Sequence, residues 1–316
     1  MDFTQTVIQS ISIVVLMILL GTTFRKIGLL KDEDGTTFAR IVTNYTLPAL
    51  IFHALSRVEF DVDKLMLVGV MISSQLLCAV IALGVSVLFR LSRARKGALI
   101  LGSTFTSSGL LGYAVIKVIY ADNIEALSDA AIVSELGVAT IFFTFGVLLA
   151  IHFGSAKQTT KEKTREVLKF FVSPIFIALV LGIIVSFIDL PMDNVLVVSF
   201  YRILGIISGA NTLMVTLTIG VMLYFKDIRK VLPMVVVVII IKLVLQPLMA
   251  HFQAELLSFT QLWHDIVVIE ASMPTAALTA VFAKRYKCDS ELTTILVFAT
   301  FISSIFTMVM MIVLLS

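Results

Sequence analysis

The chain has 316 residues, of which 59% are hydrophobic and 14% are charged, and its formal net charge is +3 at pH 7. Soluble domains contain about 45–50% apolar and about 25% charged residues, so this composition excludes an ordinary soluble protein. The cysteines are Cys78 in an apolar run and Cys288 in a polar loop, which argues against a structural disulfide or a cysteine metal site.

Apolar runs of membrane-spanning length recur along the chain and predict a polytopic membrane protein. The first run is not preceded by a positive region and is followed by Arg25 and Lys26, unlike a cleaved signal peptide. No soluble domain is visible in the sequence, so we expect the function to reside in the membrane bundle. We place ten segments, at 5–24, 37–55, 65–89, 97–119, 130–153, 168–187, 195–223, 231–249, 262–283 and 292–315.

Basic residues occupy alternate loops. The loops after segments 1, 3, 5, 7 and 9 are rich in Lys and Arg, whereas those after segments 2, 4 and 6 are acidic or nearly neutral. Cytoplasmic loops carry the excess of positive charge, so both termini are predicted to lie outside the cytoplasm. We expect a multi-pass protein of the inner or plasma membrane.

Two parts of the chain resemble each other. SSGLLGYAVIKVIYAD at 107–122 aligns with PTAALTAVFAKRYKCD at 274–289, and TLPAL at 46–50 aligns with TLMVT at 212–216 at nearly the same offset. Each half holds five segments, and an odd number inverts the second half in the membrane. We therefore predict an all-α membrane protein of two inverted five-helix repeats, 1–153 and 168–316, joined by a cytoplasmic linker at 154–167.

Segments 4 and 9 occupy corresponding places and both contain helix-breaking residues. Segment 4 carries the small residues GSTFTSSGLLG at 102–112, and segment 9 carries Pro274. Irregular backbone at membrane depth is tolerated where protein or a wet cavity satisfies it, and exposed helix N-termini suit an anion. A continuous kinked helix is the alternative for each segment. Two such segments at corresponding positions favour crossing broken helices.

Polar side chains within the spans are candidates for binding. Glu270 lies just before the break at Pro274, where it would exchange a proton, ligate sodium or pair with Lys242. Lys242 would bind a substrate carboxylate or neutralise Glu270 or Glu135, and Glu135 is expected to be partly hydrated near the outer end of segment 5. His152, His251 and His264 fall near span ends and predict no metal cluster. The candidate substrate-binding residues are Thr106, Ser107, Ser108, Gly109, Pro274, Thr275 and Lys242.

The stretch GTTFRKIGLLKDEDGTTFARIVTNYTLPALIF at 21–52 resembles the start of the auxin efflux carrier family. Its marks are a glycine and a basic pair closing the first span, and the run from Asn44 through Pro48 in the second. The Ser–Gly–Leu–Leu–Gly motif at 108–112 and Met–Pro at 273–274 also fit the family.

The resemblance implies a ten-helix inverted-repeat fold like that of bile acid sodium symporters and sodium/proton antiporters. Segments 1, 2, 6 and 7 would form a scaffold, with Asn44 bonded between its helices near Pro48, and segments 3–5 and 8–10 would form the moving domain. Family substrates are organic anions such as small carboxylates. Where many members carry asparagine near the segment 4 crossover, this chain has threonine and serines. By comparison with bile acid symporters, the candidate coupling-ion ligands are Glu270, Gln75, Ser107, Ser108 and Ser134, with Glu135 nearby.

These observations predict a secondary active transporter of small organic anions that works by alternating access. It would need no cofactor and would be driven by a proton, by sodium or by the membrane potential. The alternative is a sodium-coupled organic anion symporter or a cation/proton antiporter of the same fold. The sequence has no Walker motif and no motif of an intramembrane protease or prenyl-transfer enzyme, so we predict neither enzymatic activity nor a nucleic-acid partner. The expected partners are the substrate and the lipid bilayer, and a homodimer through the scaffold segments remains open.

Overall fold

The computed structural model describes residues 3–57, 61–121, 123–154, 165, 168, 171–188, 190, 193–222 and 231–315. Within these ranges the regular structure is helical, and strand pairing is limited to one isolated antiparallel bridge between Thr106 and Thr275. The predicted all-α class is confirmed. Most of the predicted linker at 154–167 lies outside the described residues.

The α-helices of the described ranges are numbered in chain order. They are α1 (Phe3–Lys26), α2 (Asp32–Ile41), α3 (Leu47–Leu55), α4 (Leu65–Leu88), α5 (Arg93–Thr104), α6 (Tyr113–Ile119), α7 (Ile124–Ala131), α8 (Val147–Phe153), α9 (Pro174–Ser186), α10 (Val195–Gly209), α11 (Asn211–Met222), α12 (Leu232–Ile239), α13 (Gln246–Leu256), α14 (Gln261–Ser272), α15 (Leu278–Arg285) and α16 (Ser290–Leu315).

Wider π-helical turns lie between several of these helices and join them into longer continuous helical segments. Such turns are rare in proteins and are frequent at functional sites. They contain several of the candidate site residues described below. The turns are Val42–Thr46 before α3, Ser108–Gly112 before α6, Ile132–Ala139 and Phe142–Gly146 between α7 and α8, and Ile240–Leu245 between α12 and α13.

Helical stretches long and apolar enough to cross a membrane recur through the described chain. The five that meet this criterion are 25 to 30 residues long, more than the ~20 that a bilayer requires. The protein is therefore a multi-pass membrane protein. Predicted segments 4 and 9 are not among these stretches, because each is divided by a break. The five are Val62–Leu88, Ile124–Phe153, Val195–Val221, Leu232–Leu256 and Ser290–Leu315, and Pro174–Ser186 is a shorter apolar helix.

Helix packing forms two groups of close contacts, which also touch each other through α3 with α7 and through α1 with α6 and α16. α1 packs along α11 and α3 packs along α9, which joins predicted segment 1 to segment 7 and segment 2 to segment 6. The first contact is close, because the Thr22 hydroxyl donates to the carbonyl of Gly220 at 2.9 Å. In the second group α4 packs against α5, α13 packs against α14, and α16 contacts α12, α14 and α15. This second group contains both interrupted segments, and α6 of segment 4 also packs against α1 and α11.

The expected role of Asn44 is wrong. Its side chain is exposed, and its Nδ2 donates to the carbonyl of Arg40 on the same helix at 2.8 Å. The π-helical turn Val42–Thr46 rotates Asn44 to the outer face, whereas Thr46 points inward and donates to Asn211 Oδ1 at 2.8 Å. The interhelical bond therefore lies two residues further along, and Pro48 stands in the first turn of α3 beside it.

Candidate functional site

Both predicted helix interruptions are observed in the interior of the second group of helices. α5 ends at Thr104, and the next residue, Phe105, is extended with φ −96° and ψ 127°. α14 ends at Ser272, and Met273 is extended with φ −64° and ψ 147°. A residue before proline is driven out of the helical conformation, so Pro274 accounts for the second break.

The two breaks face each other and share backbone hydrogen bonds. The N–H of Ser107 donates to the carbonyl of Pro274 at 2.8 Å, and the N–H of Ala276 donates to the carbonyl of Phe105 at 2.9 Å. Buried backbone groups almost always need such partners. Each break therefore supplies the partners that the other break needs.

The side chains of two threonines form further hydrogen bonds between the two segments. Thr106 and Thr275 form the antiparallel bridge between the breaks. The Thr106 hydroxyl donates to the carbonyl of Glu270 in the last turn of α14 at 2.9 Å, and the Thr275 hydroxyl donates to the carbonyl of Gly102 in the last turn of α5 at 2.5 Å. The last carbonyls of a helix have no intrahelical partner. Each threonine thus caps the half-helix on the opposite side, while its role in substrate binding stays a prediction.

The Glu270 carboxylate lies directly beside this crossing and is fully buried, with 0% of the residue exposed. Neither of its oxygens has a hydrogen-bond partner among the described residues. The carboxylate lies against Gly112, where an added Cβ would stand 2.5 Å from Oε2 and 2.7 Å from Oε1. Glu135 and Lys242 are the charged groups that act on it electrostatically. The site therefore holds a buried acidic group without a hydrogen-bond partner among the described residues.

Lys242 is also fully buried, in the π-helical turn between α12 and α13. Its Nζ donates to Gln246 Oε1 at 2.5 Å and to the carbonyl of Ala271 at 3.1 Å. Lys242 forms no ion pair with a carboxylate in the part of the chain that the structure describes. A cation at a helix C-terminus is stabilised by the helix dipole. Lys242 therefore caps α14 rather than forming the direct pair with Glu270 considered from the sequence.

A second polar group lies where Ser108–Gly112 meets Ile132–Ala139. The Ser108 and Ser134 hydroxyls are 2.9 Å apart, and the Tyr113 hydroxyl donates to Glu135 Oε1 at 3.0 Å. Glu135 is only 3% exposed, so the expected partial hydration is wrong. Gly109 lies beside this group, and a Cβ there would make ordinary van der Waals contacts, at 3.4 Å from Ser134 Oγ and 3.5 Å from Glu135 Oε1.

Gln75 projects from α4 toward the same π-helical turn, Ile132–Ala139. Its Nε2 donates to the carbonyl of Met71 at 3.1 Å and to that of Gly137 at 3.5 Å. Its Oε1 is buried and has no hydrogen-bond partner among the described residues. The hydroxyls of Ser103 and Thr104, at the end of α5, are also buried without a hydrogen-bond partner among the described residues. These atoms are candidates for ligand contacts, because buried polar groups usually have hydrogen-bond partners.

The sequence did not identify Gly112, Tyr113, Ser103 or Thr104 as parts of the site. Gly112 and Tyr113 matter through contacts with Glu270 and Glu135, which are distant along the chain. The small residues at 102–112 were the available signal, and from that run only Thr106, Ser107, Ser108 and Gly109 were predicted to bind substrate.

Comparison with known proteins identifies the family to which this chain belongs. Residues 6–312 match the family described as membrane transport protein. An uncharacterized transporter of Methanothermobacter thermautotrophicus is 29% identical over 314 residues, which covers 96% of each chain. An uncharacterized transporter of Methanocaldococcus jannaschii is 25% identical over 292 residues, which covers 91% of this chain and 92% of the relative. With the match spanning nearly all of its residues, the chain belongs to the membrane transport protein family, the family of the auxin efflux carriers.

Proposed function

We propose that this membrane transporter is a secondary active carrier of small organic anions such as carboxylates. It works by alternating access around the two facing breaks, with a proton or sodium as the coupling ion. The observation that carries the proposal is Glu270, a fully buried carboxylate without a hydrogen-bond partner among the described residues, at the end of an interrupted helix. Ionisable groups inside a membrane bundle commonly mark ion and substrate pathways.

The isolation of Glu270 supports a coupling role. Burying an ionised carboxylate without a partner is very costly, so a proton or a bound cation is needed to neutralise it. Lys242 does not meet this need directly, because its Nζ is bonded to Gln246 and to the carbonyl of Ala271. When the coupling ion binds, the negative charge that would repel an anionic substrate is removed. Occupancy by ion and by substrate is thereby linked.

The proposed anion site lies at the N-terminal end of the helical stretch that begins with Ser108–Gly112. Helix N-termini carry partial positive charge and free N–H groups, which suit a carboxylate. Ser107, Ser108 and Gly109 would contact the anion there, and Lys242 would supply the cationic field. Thr106, Pro274 and Thr275 would shape the crossing beneath it.

We further propose the ten-helix inverted repeat, with repeats at 1–153 and 168–316. The two backbone bonds between the breaks, from Ser107 to Pro274 and from Ala276 to Phe105, are reciprocal, as expected of a two-fold relation between the halves. This relation pairs Thr106 with Thr275 and is shifted by two residues from the sequence alignment of Ser107 with Pro274. The packing of α1 on α11 and of α3 on α9 pairs segment 1 with 7 and segment 2 with 6, which the inversion would interchange. Segments 1, 2, 6 and 7 would then be the scaffold and segments 3–5 and 8–10 the moving domain.

The alternative carriers are a sodium-coupled anion symporter and a cation/proton antiporter of the same fold. Catalysis at this site is disfavoured, because the Thr106 and Thr275 hydroxyls donate to carbonyls rather than to a base. We therefore propose transport without an enzymatic step.

Uptake into proteoliposomes tests the proposal. A panel of radiolabelled small carboxylates is offered with pH and sodium gradients imposed separately. We expect one gradient to drive accumulation, and Glu270→Gln to reduce that accumulation to the level of empty vesicles while the protein stays folded. Glu125→Gln, which alters an exposed carboxylate, is the matched control and should transport normally. If Glu270→Gln keeps the wild-type dependence on the gradient, the coupling role is refuted.

A further inference from the structure

A cluster of metal-ligand side chains lies away from the breaks, where α13 ends and α14 begins. His251 and Glu255 are one helical turn apart on α13, and His264 lies in the first turn of α14. A short connection with Ser258 at φ 53° reverses the chain between them. One ligand atom from each side chain lies within 4.8 Å of the others. The sequence placed these histidines near span ends and predicted no metal site, because the reversal that joins them is tertiary.

Two of the ring nitrogens are in direct hydrogen-bond contact. His251 Nδ1 and His264 Nε2 are 2.8 Å apart, and the ring planes are inclined at 83°. Glu255 Oε1 is 4.0 Å from His264 Nε2. Around a tetrahedral zinc ion with bonds of about 2.0–2.1 Å, two nitrogens lie about 3.3 Å apart. The rings would separate by only about half an ångström to admit the ion.

The residues behind His264 provide an independent indication. Asp265 Oδ1 lies 3.4 Å from His264 Nδ1. Asp265 is itself fixed, because its Oδ2 accepts from the Tyr120 hydroxyl at 2.7 Å and its Oδ1 accepts from Gln261 Nε2 at 2.9 Å. A carboxylate behind a metal-binding histidine holds the second ring nitrogen in its protonated form and leaves the first one free for the metal. His264 is thus oriented with Nε2 toward His251 and Glu255.

The cluster is also accessible from solvent on one side. The Glu255 side chain is 67% exposed, whereas that of His264 is 7% exposed. An ion can therefore reach the buried imidazole past the exposed carboxylate, and water can complete its coordination. Two imidazoles with one carboxylate suit zinc and similar transition metals, whereas calcium and magnesium prefer oxygen ligands alone.

We propose that His251 Nδ1, His264 Nε2 and the Glu255 carboxylate bind a divalent transition metal ion of the zinc class. Asp265 is a positioning residue that acts through His264. The ion would join the end of α13 to the start of α14, the half-helix that carries Glu270 at its other end. This site does not depend on the proposed transport function.

Binding of Zn²⁺ alone to the purified full-length protein, without a polyhistidine tag, tests the proposal. In competition with a chelating dye, we expect one saturable site per chain. His251→Ala and His264→Ala should abolish it, and Asp265→Asn should weaken it by about 10- to 100-fold. His152→Ala removes a histidine outside the cluster and should leave the affinity unchanged. Co²⁺ should give visible absorption of four-coordinate intensity in the wild type, and this absorption should be lost in the ligand variants.

Two outcomes would contradict the proposed metal site. Absence of saturable binding in the wild type overturns the proposal, as does an affinity that His251→Ala and His264→Ala leave unchanged. If an alanine variant does not fold, Glu255→Gln decides, because this exposed side chain can change without disturbing the interior. Weaker Zn²⁺ binding and altered Co²⁺ absorption in Glu255→Gln support the site, and unchanged values for both exclude it.

Discussion

At the scale of single residues, the Glu270 carboxylate packs directly against Gly112. The carboxylate occupies the space in which the side chain of any larger residue at position 112 would begin. Tight interiors transmit such changes, because packed atoms have little free volume to absorb them. The size of residue 112 therefore sets the position of the proposed coupling group.

Substituting Gly112 by alanine tests this fit. The added Cβ would lie 2.5 Å from Glu270 Oε2, so the carboxylate must move. Displacing a positioned group by about 1 Å can cost about 100-fold in rate, and we expect gradient-driven uptake in proteoliposomes to fall by about 10- to 100-fold in Gly112→Ala. Gly84→Ala is the control, since a Cβ at Gly84 meets no atom within 4 Å.

Shortening the acid should relieve the same clash. In the double variant Gly112→Ala with Glu270→Asp, we expect part of the lost uptake to return, although Glu270→Asp alone should impair transport. Full activity in Gly112→Ala, or no gain in the double variant, would contradict the proposed contact.

The sequence identified Glu270 and Pro274 because a charge and a proline inside an apolar run are local signals. It did not identify the surroundings of Glu270. The partial hydration expected of Glu135 was wrong because neighbouring residues bury its side chain, and the interhelical bond expected of Asn44 was wrong because Asn44 lies in the π-helical turn Val42–Thr46. Such a turn takes one more residue than an α-helical turn and rotates the side chains that follow. A regular period of 3.6 residues cannot anticipate that rotation.

Among the helical elements, the two interrupted segments depend on each other. Thr106 caps α14 and Thr275 caps α5, and the backbones of the breaks are hydrogen bonded. Neither half-helix end is complete without the opposite break. The sequence predicted that the breaks exist, from Pro274 and the small residues. The sequence did not predict that each break caps the opposite half-helix, because this capping depends on a contact in three dimensions.

Replacing either threonine by valine tests the reciprocal caps. Valine has nearly the same shape but no hydroxyl, so a buried carbonyl loses its side-chain donor. We expect Thr106→Val and Thr275→Val each to lower the free energy of unfolding by about 1–3 kcal/mol, measured as reduced thermal stability in detergent.

Thr218→Val is the matched control for these caps. The Thr218 hydroxyl donates to the Met214 carbonyl within the regular part of α11, where that carbonyl also serves the helix itself. We expect a clearly smaller loss of stability. Equal stability of all three variants would show that the caps contribute nothing.

At the scale of the whole molecule, hydropathy predicted a multi-pass membrane protein, because membrane thickness sets a local length requirement. They did not predict which helices meet. The contact of α1 with α11 depends on Gly220, where a Cβ would lie 2.2 Å from the carbonyl of Ile18, too close for any side chain. Such an approach is a property of the pair of helices, and a glycine in one helix does not identify the helix that it will meet.

The orientation in the membrane is testable with single cysteines. Lys31 and Asp63 are exposed in loops predicted to lie on opposite faces. With a membrane-impermeant maleimide on intact cells, we expect Asp63→Cys to be labelled at once and Lys31→Cys only after permeabilisation. The reverse pattern would invert the proposed topology.

The native chain is a suitable background for this labelling. Cys78 and Cys288 are both buried free thiols. Burial, with a smaller contribution from the neighbouring Asp289, raises the pKa of the Cys288 thiol to about 11, so little reactive thiolate forms at neutral pH. The wild-type protein should therefore remain unlabelled.

The complete enclosure of Glu270 has a consequence for leakage. A carrier keeps a gradient useful only if its driving ion does not slip across the membrane alone. With 0% of Glu270 exposed, an ion held there is insulated from the water on both sides until the surrounding helices rearrange. In the proposed cycle, the packing around this carboxylate would prevent the coupling ion from leaking across the membrane. Loosening that packing would dissipate the ion gradient without transporting substrate.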